Sequence, residues 1–190
     1  MAYLKDAEDL NRILQAFILN EEAYFLQLVA EIHSRLARGK KILVFGNGGS
    51  ASQAQHFAAE LVNRYLQERA PLKAIALTTD TSILTSVAND SDFTQIFVRQ
   101  IEALGEEGDI ALGLTTSGRS PNIRAAFDIA RRRGLLTVCL TGEKGKELAE
   151  MVDYLLAVPS TSTPRIQEVH LFLLHKLAEE LESRLSSNSG

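Results

Sequence analysis

Residues 41–52 read Lys41-Ile42-Leu43-Val44-Phe45-Gly46-Asn47-Gly48-Gly49-Ser50-Ala51-Ser52. A short, unbroken apolar run gives way to three glycines and two hydroxyls, after which a helical pattern over 52–66 begins. Strands that are covered on both faces lose the polar alternation of half-exposed ones, so the run predicts a buried strand of a parallel sheet. Four more runs of this kind follow at 73–77, 109–114, 135–140 and 154–158, separated by helical patterns such as 122–133 and closed by a long helix over 165–181. Strands alternating with helices predict a three-layer α/β sandwich around a five-stranded parallel sheet, with right-handed crossovers. Ahead of the first strand, Leu10, Ile13, Leu14, Phe17 and Ile18 recur at helical spacing, as do Tyr24, Leu28, Ile32 and Leu36. They predict an N-terminal helical pair within 1–38, whose apolar stripe must bury on the sheet's helical layer or against another subunit.

Composition narrows the function classes. A chain of 190 residues with 45% hydrophobic and 23% charged residues reads as one domain over 1–190, with a frayed tail at 186–190. Twenty basic against 24 acidic side chains leave a net charge of -4, which argues against a general nucleic-acid or membrane-surface binder. The single cysteine, Cys139, rules out a disulfide framework and lies in an apolar run, as a small buried hydrophobe does. No secretory leader and no membrane-spanning run are legible, so the expected location is the cytoplasm. With no global positive field, any anion must be held by local geometry.

Two loops offer that geometry. The glycines of Gly46-Asn47-Gly48-Gly49-Ser50 let the backbone turn sharply and approach a ligand at a helix N-terminus, whose dipole favours anions. The loop is neither a Walker A loop nor a Rossmann fingerprint. Thr115-Thr116-Ser117-Gly118-Arg119-Ser120-Pro121-Asn122 follows the third strand and again leads into a helix, with Pro121 near the favoured first position. In one common doubly wound order, the first and third strands flank the switch point where ligands bind. The two loops therefore predict a phosphate clamp in which Ser50, Ser52, Thr115, Thr116, Ser117 and Ser120 donate.

These loops, together with His56-Phe57-Ala58-Ala59-Glu60-Leu61, Ala76-Leu77-Thr78-Thr79-Asp80-Thr81-Ser82, Ala88-Asn89-Asp90 and Arg165-Ile166-Gln167-Glu168-Val169-His170, resemble the sugar isomerase (SIS) domain. Within that domain the pattern resembles the phosphoheptose isomerase family over nearly the whole chain. The resemblance implies a flavodoxin-like sheet and interconversion of sedoheptulose 7-phosphate and D-glycero-D-manno-heptose 7-phosphate, the first step of heptose-nucleotide biosynthesis. It implies a homotetramer with composite active sites, in which the N-terminal helices serve oligomerisation, and one zinc ion per subunit. Matched residue by residue, His56, Glu60, Gln167 and His175 surround the metal, and Glu60 and His175 are the acid/base pair. Asn47, Gly48, Gly49, Arg64, Asn89, Asp90 and Gln167 join the hydroxyls in holding substrate. Thr115 stands where serine is frequent in the family, and Arg119 where asparagine is frequent.

The chemistry agrees with those residue types. At about 100° per residue, His56 and Glu60 share one helix face, and Gln167 and His175 lie roughly 80° apart on another helix. Two imidazoles, a carboxylate and an amide oxygen suit zinc or another borderline divalent ion. Isomerisation through an enediol needs a base that reaches two adjacent carbons and stabilisation of charge on the carbonyl oxygen. Asp80 and Asn89 either bind sugar hydroxyls or serve turn chemistry at a βα junction. His33 is expected at the surface or an interface, His170 behind the metal site, and Arg131, Arg132 and Arg133 at a helix end. Two other readings stand: a non-catalytic SIS scaffold that binds a replication initiator, whose relatives lack the glutamate and final histidine retained here, and an isomerase of a shorter sugar such as arabinose 5-phosphate.

Overall fold

A computed structural model describes residues 2–186. The five apolar runs are five parallel strands: β1 Ile42–Gly46, β2 Ala74–Ala76, β3 Ile110–Thr115, β4 Leu136–Gly142 and β5 Tyr154–Val158. They lie in the order β2-β1-β3-β4-β5, the flavodoxin-like arrangement. The chain steps one way from β1 to β2 and then crosses back to β3, so its direction reverses between β1 and β3. These two strands pair from Ile42↔Ile110 to Gly46↔Leu114. They end at one level, and the loops that follow them leave the sheet side by side.

Each central strand feeds two cores by simple alternation. Ile42 and Val44, Ile110, Leu112 and Leu114, and Leu136, Val138 and Leu140 face a layer built from α1 (Ala2–Ala37), α2 (Gly49–Val62) and α6 (Thr163–Ser186). Leu43, Phe45, Ala111 and Cys139 face α3 (Thr81–Asp90), α4 (Val98–Leu104) and α5 (Pro121–Arg132). Gly113 is small for a reason: a Cβ there would sit 2.4 Å from the Phe127 ring, which packs on Phe45.

Several expectations need correction. The N-terminal helical pair is one continuous helix, α1, of 36 residues. No glycine or proline interrupts 2–37, and Phe17 and Tyr24, seven positions apart, fall on nearly the same face, so the two apolar stripes are one. Helix α2 starts at Gly49, inside the glycine-rich loop, and stops at Val62, short of the predicted end at 66. Helices α3 and α4 were not legible; both are short, and α3 buries none of its residues fully. Ser186 ends α6, while 187–190 of the expected frayed tail lie outside the described residues. Among the described residues no helix is long and apolar enough to cross a membrane.

Candidate functional site

The loops after β1 and β3 enclose a cavity of about 210 Å³ lined by Asn47, Ser50, Leu114, Thr115, Thr116, Ser117, Ser120, Thr163 and Gln167. Local chemistry shapes it. Gly48 adopts φ 55, a left-handed conformation open to glycine, and starts α2. Thr115 Oγ1 accepts the Gly118 N–H at 3.2 Å and Ser117 Oγ accepts the Arg119 N–H at 3.2 Å. A hydroxyl has one hydrogen to give, and each of these has spent an acceptor position on its own loop, which leaves the O–H free to donate. Ser120 occupies the N-cap of α5, yet its side chain makes no capping bond. Its hydroxyl is therefore not committed to the helix.

Across the two loops, Asn47 Nδ2 donates to Asn122 Oδ1 at 3.0 Å and Asn122 Nδ2 donates to Asn47 Oδ1 at 2.8 Å. Asn122 is buried. This reciprocal pair fixes the spacing of the loops, a role for Asn122 that its place at a helix start did not signal. Gly49 admits a third wall: a Cβ there would lie 2.6 Å from Gln167 Nε2. The Gln167 side chain thus lies against the glycine loop, and the Gln167 backbone carbonyl accepts from Gln53 Nε2 at 2.7 Å, tying α6 to α2.

Farther along the same two helices, a second cluster forms. His56 Nε2 lies 2.9 Å from Glu60 Oε1 and 3.1 Å from His175 Nε2, and His175 Nε2 lies 3.5 Å from Glu60 Oε1. His56 and Glu60 meet because they are one helical turn apart. His175 arrives from α6, 119 positions away. Glu60 Oε2 is buried with no hydrogen-bond partner. Such an oxygen is costly unless something else engages it.

The residues fit a metal ion. Zinc bonds of about 2.0–2.1 Å in a tetrahedron place ligand atoms roughly 3.3 Å apart, and the three atoms here form a triangle with edges of 2.9, 3.1 and 3.5 Å. His56, Glu60 and His175 are the cluster of potential ligands among the described residues. The structure places Gln167 at the hydroxyl cavity, on the same helix as His175.

Other expected site residues lie elsewhere. Arg64, past the end of α2, pairs with Glu68 at 3.0 Å and is exposed. Ser52 is exposed and does not line the cavity, and neither does Arg119. Asn89 and Asp90 bond to each other at 2.8 Å at the exposed end of α3. Asp80 caps α3 by accepting the Ile83 N–H, which is turn chemistry. His170 is fully buried and donates Nε2–H to the Thr141 carbonyl at 3.2 Å. Burial pushes its pKa down to about 4, against the weaker opposing effect of that bond. Burial likewise pushes the Cys139 thiol far up, so it is an inert core residue.

The chain is similar to known proteins along nearly its whole length. The SIS domain family matches residues 5–142. The phosphoheptose isomerase of Thermodesulfovibrio yellowstonii is 49% identical over 182 residues, covering 95% of this chain and 90% of that protein. That of Geobacter sulfurreducens is 47% identical over 184 residues, covering 97% and 96%. The solved structure of phosphoheptose isomerase GmhA from Neisseria gonorrhoeae superposes with a TM-score of 0.90 at 38% identity, covering 96% of this chain and 97% of that one.

Proposed function

The chain belongs to the phosphoheptose isomerase family of SIS-domain proteins and is a sugar-phosphate isomerase; from that premise we propose that it interconverts sedoheptulose 7-phosphate and D-glycero-D-manno-heptose 7-phosphate through an enediol. The observation that carries this reading is the pairing of a hydroxyl-lined cavity between the loops after β1 and β3 with a carboxylate–imidazole cluster on α2 and α6, helices that also border the cavity.

The phosphate end of the sugar sits between the loops, where Ser50, Thr115, Thr116, Ser117 and Ser120 donate and the backbone of Asn47, Gly48 and Gly49 approaches closely. Gripping a remote dianion lends binding energy to orientation at the reacting carbons. Gln167, which lines the cavity from the helix that carries His175, binds the sugar's hydroxyls. Glu60 takes a proton from one carbon and returns it to its neighbour, and His175 relays protons between the two oxygens. His56, Glu60, His175 and Gln167 would hold zinc; a metal-bound carboxylate is a poorer base, so the role of Glu60 requires its ligation to be labile. When bound, the ion supplies a Lewis acid for the carbonyl oxygen.

The protein acts in the cytoplasm as a homotetramer with composite sites. Supporting this, α1 exposes Tyr3, Leu4 and Leu19, and Phe17, Phe25 and Phe172 line an apolar hollow between α1 and α6. Arg64, Asn89 and Asp90 are exposed and do not line the chain's own cavity, and we assign them to an adjoining copy's substrate. The test is an isomerisation assay across sugar phosphates, including arabinose 5-phosphate, with and without a chelator. Turnover of sedoheptulose 7-phosphate that falls on chelation is the expected result. No turnover, with capture of a replication initiator from extract, overturns the reading.

A further inference from the structure

Tyr65 stacks on the His175 imidazole, with ring centroids 5.4 Å apart and planes 18° apart. The other ring beside His175 is the exposed His56, tilted by 55° at 5.3 Å. An imidazole that is 32% exposed can turn about its Cβ–Cγ bond unless a flat surface packs on its face. Tyr65 is that surface.

Tyr65 itself lies in irregular chain just past α2, where nothing in the local sequence fixes a conformation. It is fixed from a distance. The Glu182 carboxylate accepts the N–H groups of Tyr65 at 2.7 Å, Leu66 at 2.9 Å and Gln67 at 3.0 Å. It also pairs with Arg69 Nε at 3.1 Å, and the two side chains are 1% and 4% exposed. Arg69 then donates to the carbonyls of Glu60 at 2.7 Å and Leu61 at 2.8 Å, closing the C-terminal end of α2. Burial pushes Glu182 up, but the three N–H donors and Arg69 outweigh it and hold the carboxyl below its usual range.

A buried ion pair is a poor way to gain stability, since apolar side chains of similar volume do as well. This one contacts the backbone of Glu60 and the segment carrying the ring that covers His175. Resting on the roles proposed above for Glu60 and His175, we propose that Tyr65 is a positioning residue that fixes the His175 ring, and that the buried Glu182–Arg69 pair holds Tyr65 in place.

Three variants decide it, each read by steady-state kinetics on sedoheptulose 7-phosphate, zinc affinity by chelator competition, and thermal unfolding. Tyr65→Leu removes the flat face; kcat and zinc affinity are expected to fall about 10- to 100-fold, with KM little changed and the protein folded at the assay temperature. Tyr65→Phe keeps the face and is expected to retain both. Glu182→Gln is expected to reproduce Tyr65→Leu. Wild-type kcat and zinc affinity in Tyr65→Leu overturn the proposal, as does Tyr65→Phe losing as much as Tyr65→Leu, because the hydroxyl would then be the active element. A folded Glu182→Gln protein with wild-type values overturns the bracing role; if it does not fold, the two Tyr65 variants still decide the ring's role. A wild-type protein that turns over no sugar phosphate defeats the isomerase reading instead, while zinc affinities continue to test the placement of His175.

Discussion

The two halves of the site are built in opposite ways. The hydroxyl cavity comes from two continuous loops on adjacent strands that end in register, and backbone N–H groups and the Asn47–Asn122 pair order its side chains. The carboxylate–imidazole cluster comes from two helices, keeps His56 half exposed, and leaves Glu60 Oε2 without a partner. Backbone topology brings the hydroxyls of the first half together. The side chains of the second half depend on packing between helices and around irregular chain, where a single lost contact changes an angle. Pre-organisation is therefore inherent in the first half and imposed on the second.

The sharpest way to break this division is Glu60→Gln. Turnover is expected to fall about 10²- to 10⁴-fold, with sugar-phosphate affinity kept as measured by calorimetry. Loss of binding instead would show that the two halves are not separable. The next effect touches the helix they share. His170 fastens α6 to β4 as a neutral ring with a folded-state pKa of about 4, below the 6.5 of an unperturbed histidine. The unfolded chain takes the proton first as pH falls. The contribution of His170 is thus complete above pH 6.5 and is lost between there and pH 4, by up to about 3 kcal/mol. Denaturant titrations across that range should show the slope, and His170→Gln should flatten it.

A comparable or smaller effect is expected in the hydroxyl cavity. Ser120→Ala should lower kcat/KM about 10- to 100-fold through one lost bond to a charged group. Its melting temperature should hardly move, because the hydroxyl caps nothing. A large drop in stability would mean that Ser120 serves the helix after all. Smallest of all, Ser52→Ala should leave both kinetics and stability unchanged within the ordinary scatter of surface substitutions, about 0.5 kcal/mol.

How far the sequence could be read follows the same division. The strand runs, the two polar loops and their meeting at the switch point were legible, because hydrophobic period and turn chemistry are properties of a few neighbouring residues. His56 and Glu60 on one face were legible for the same reason. Where neighbouring residues carried too little signal, the reading failed: α1 seemed divided at its polar middle, and α3 and α4 were too short and shallow to stand out. The site residues that matter through packing were invisible.

What the sequence determined by itself is the sheet, its two cores and the chemistry available at the ends of β1 and β3. Only the tertiary structure decided that Gln167 lies on the glycine loop, that Arg64 and Asp90 do not line their own cavity, and that Glu182 reaches across 117 positions to the Tyr65 N–H. The physical reason is range. Periodicity and capping act within a turn or two of the chain, whereas these contacts exist only once α2 and α6 have packed together, and that packing depends on volumes and angles that no local pattern encodes.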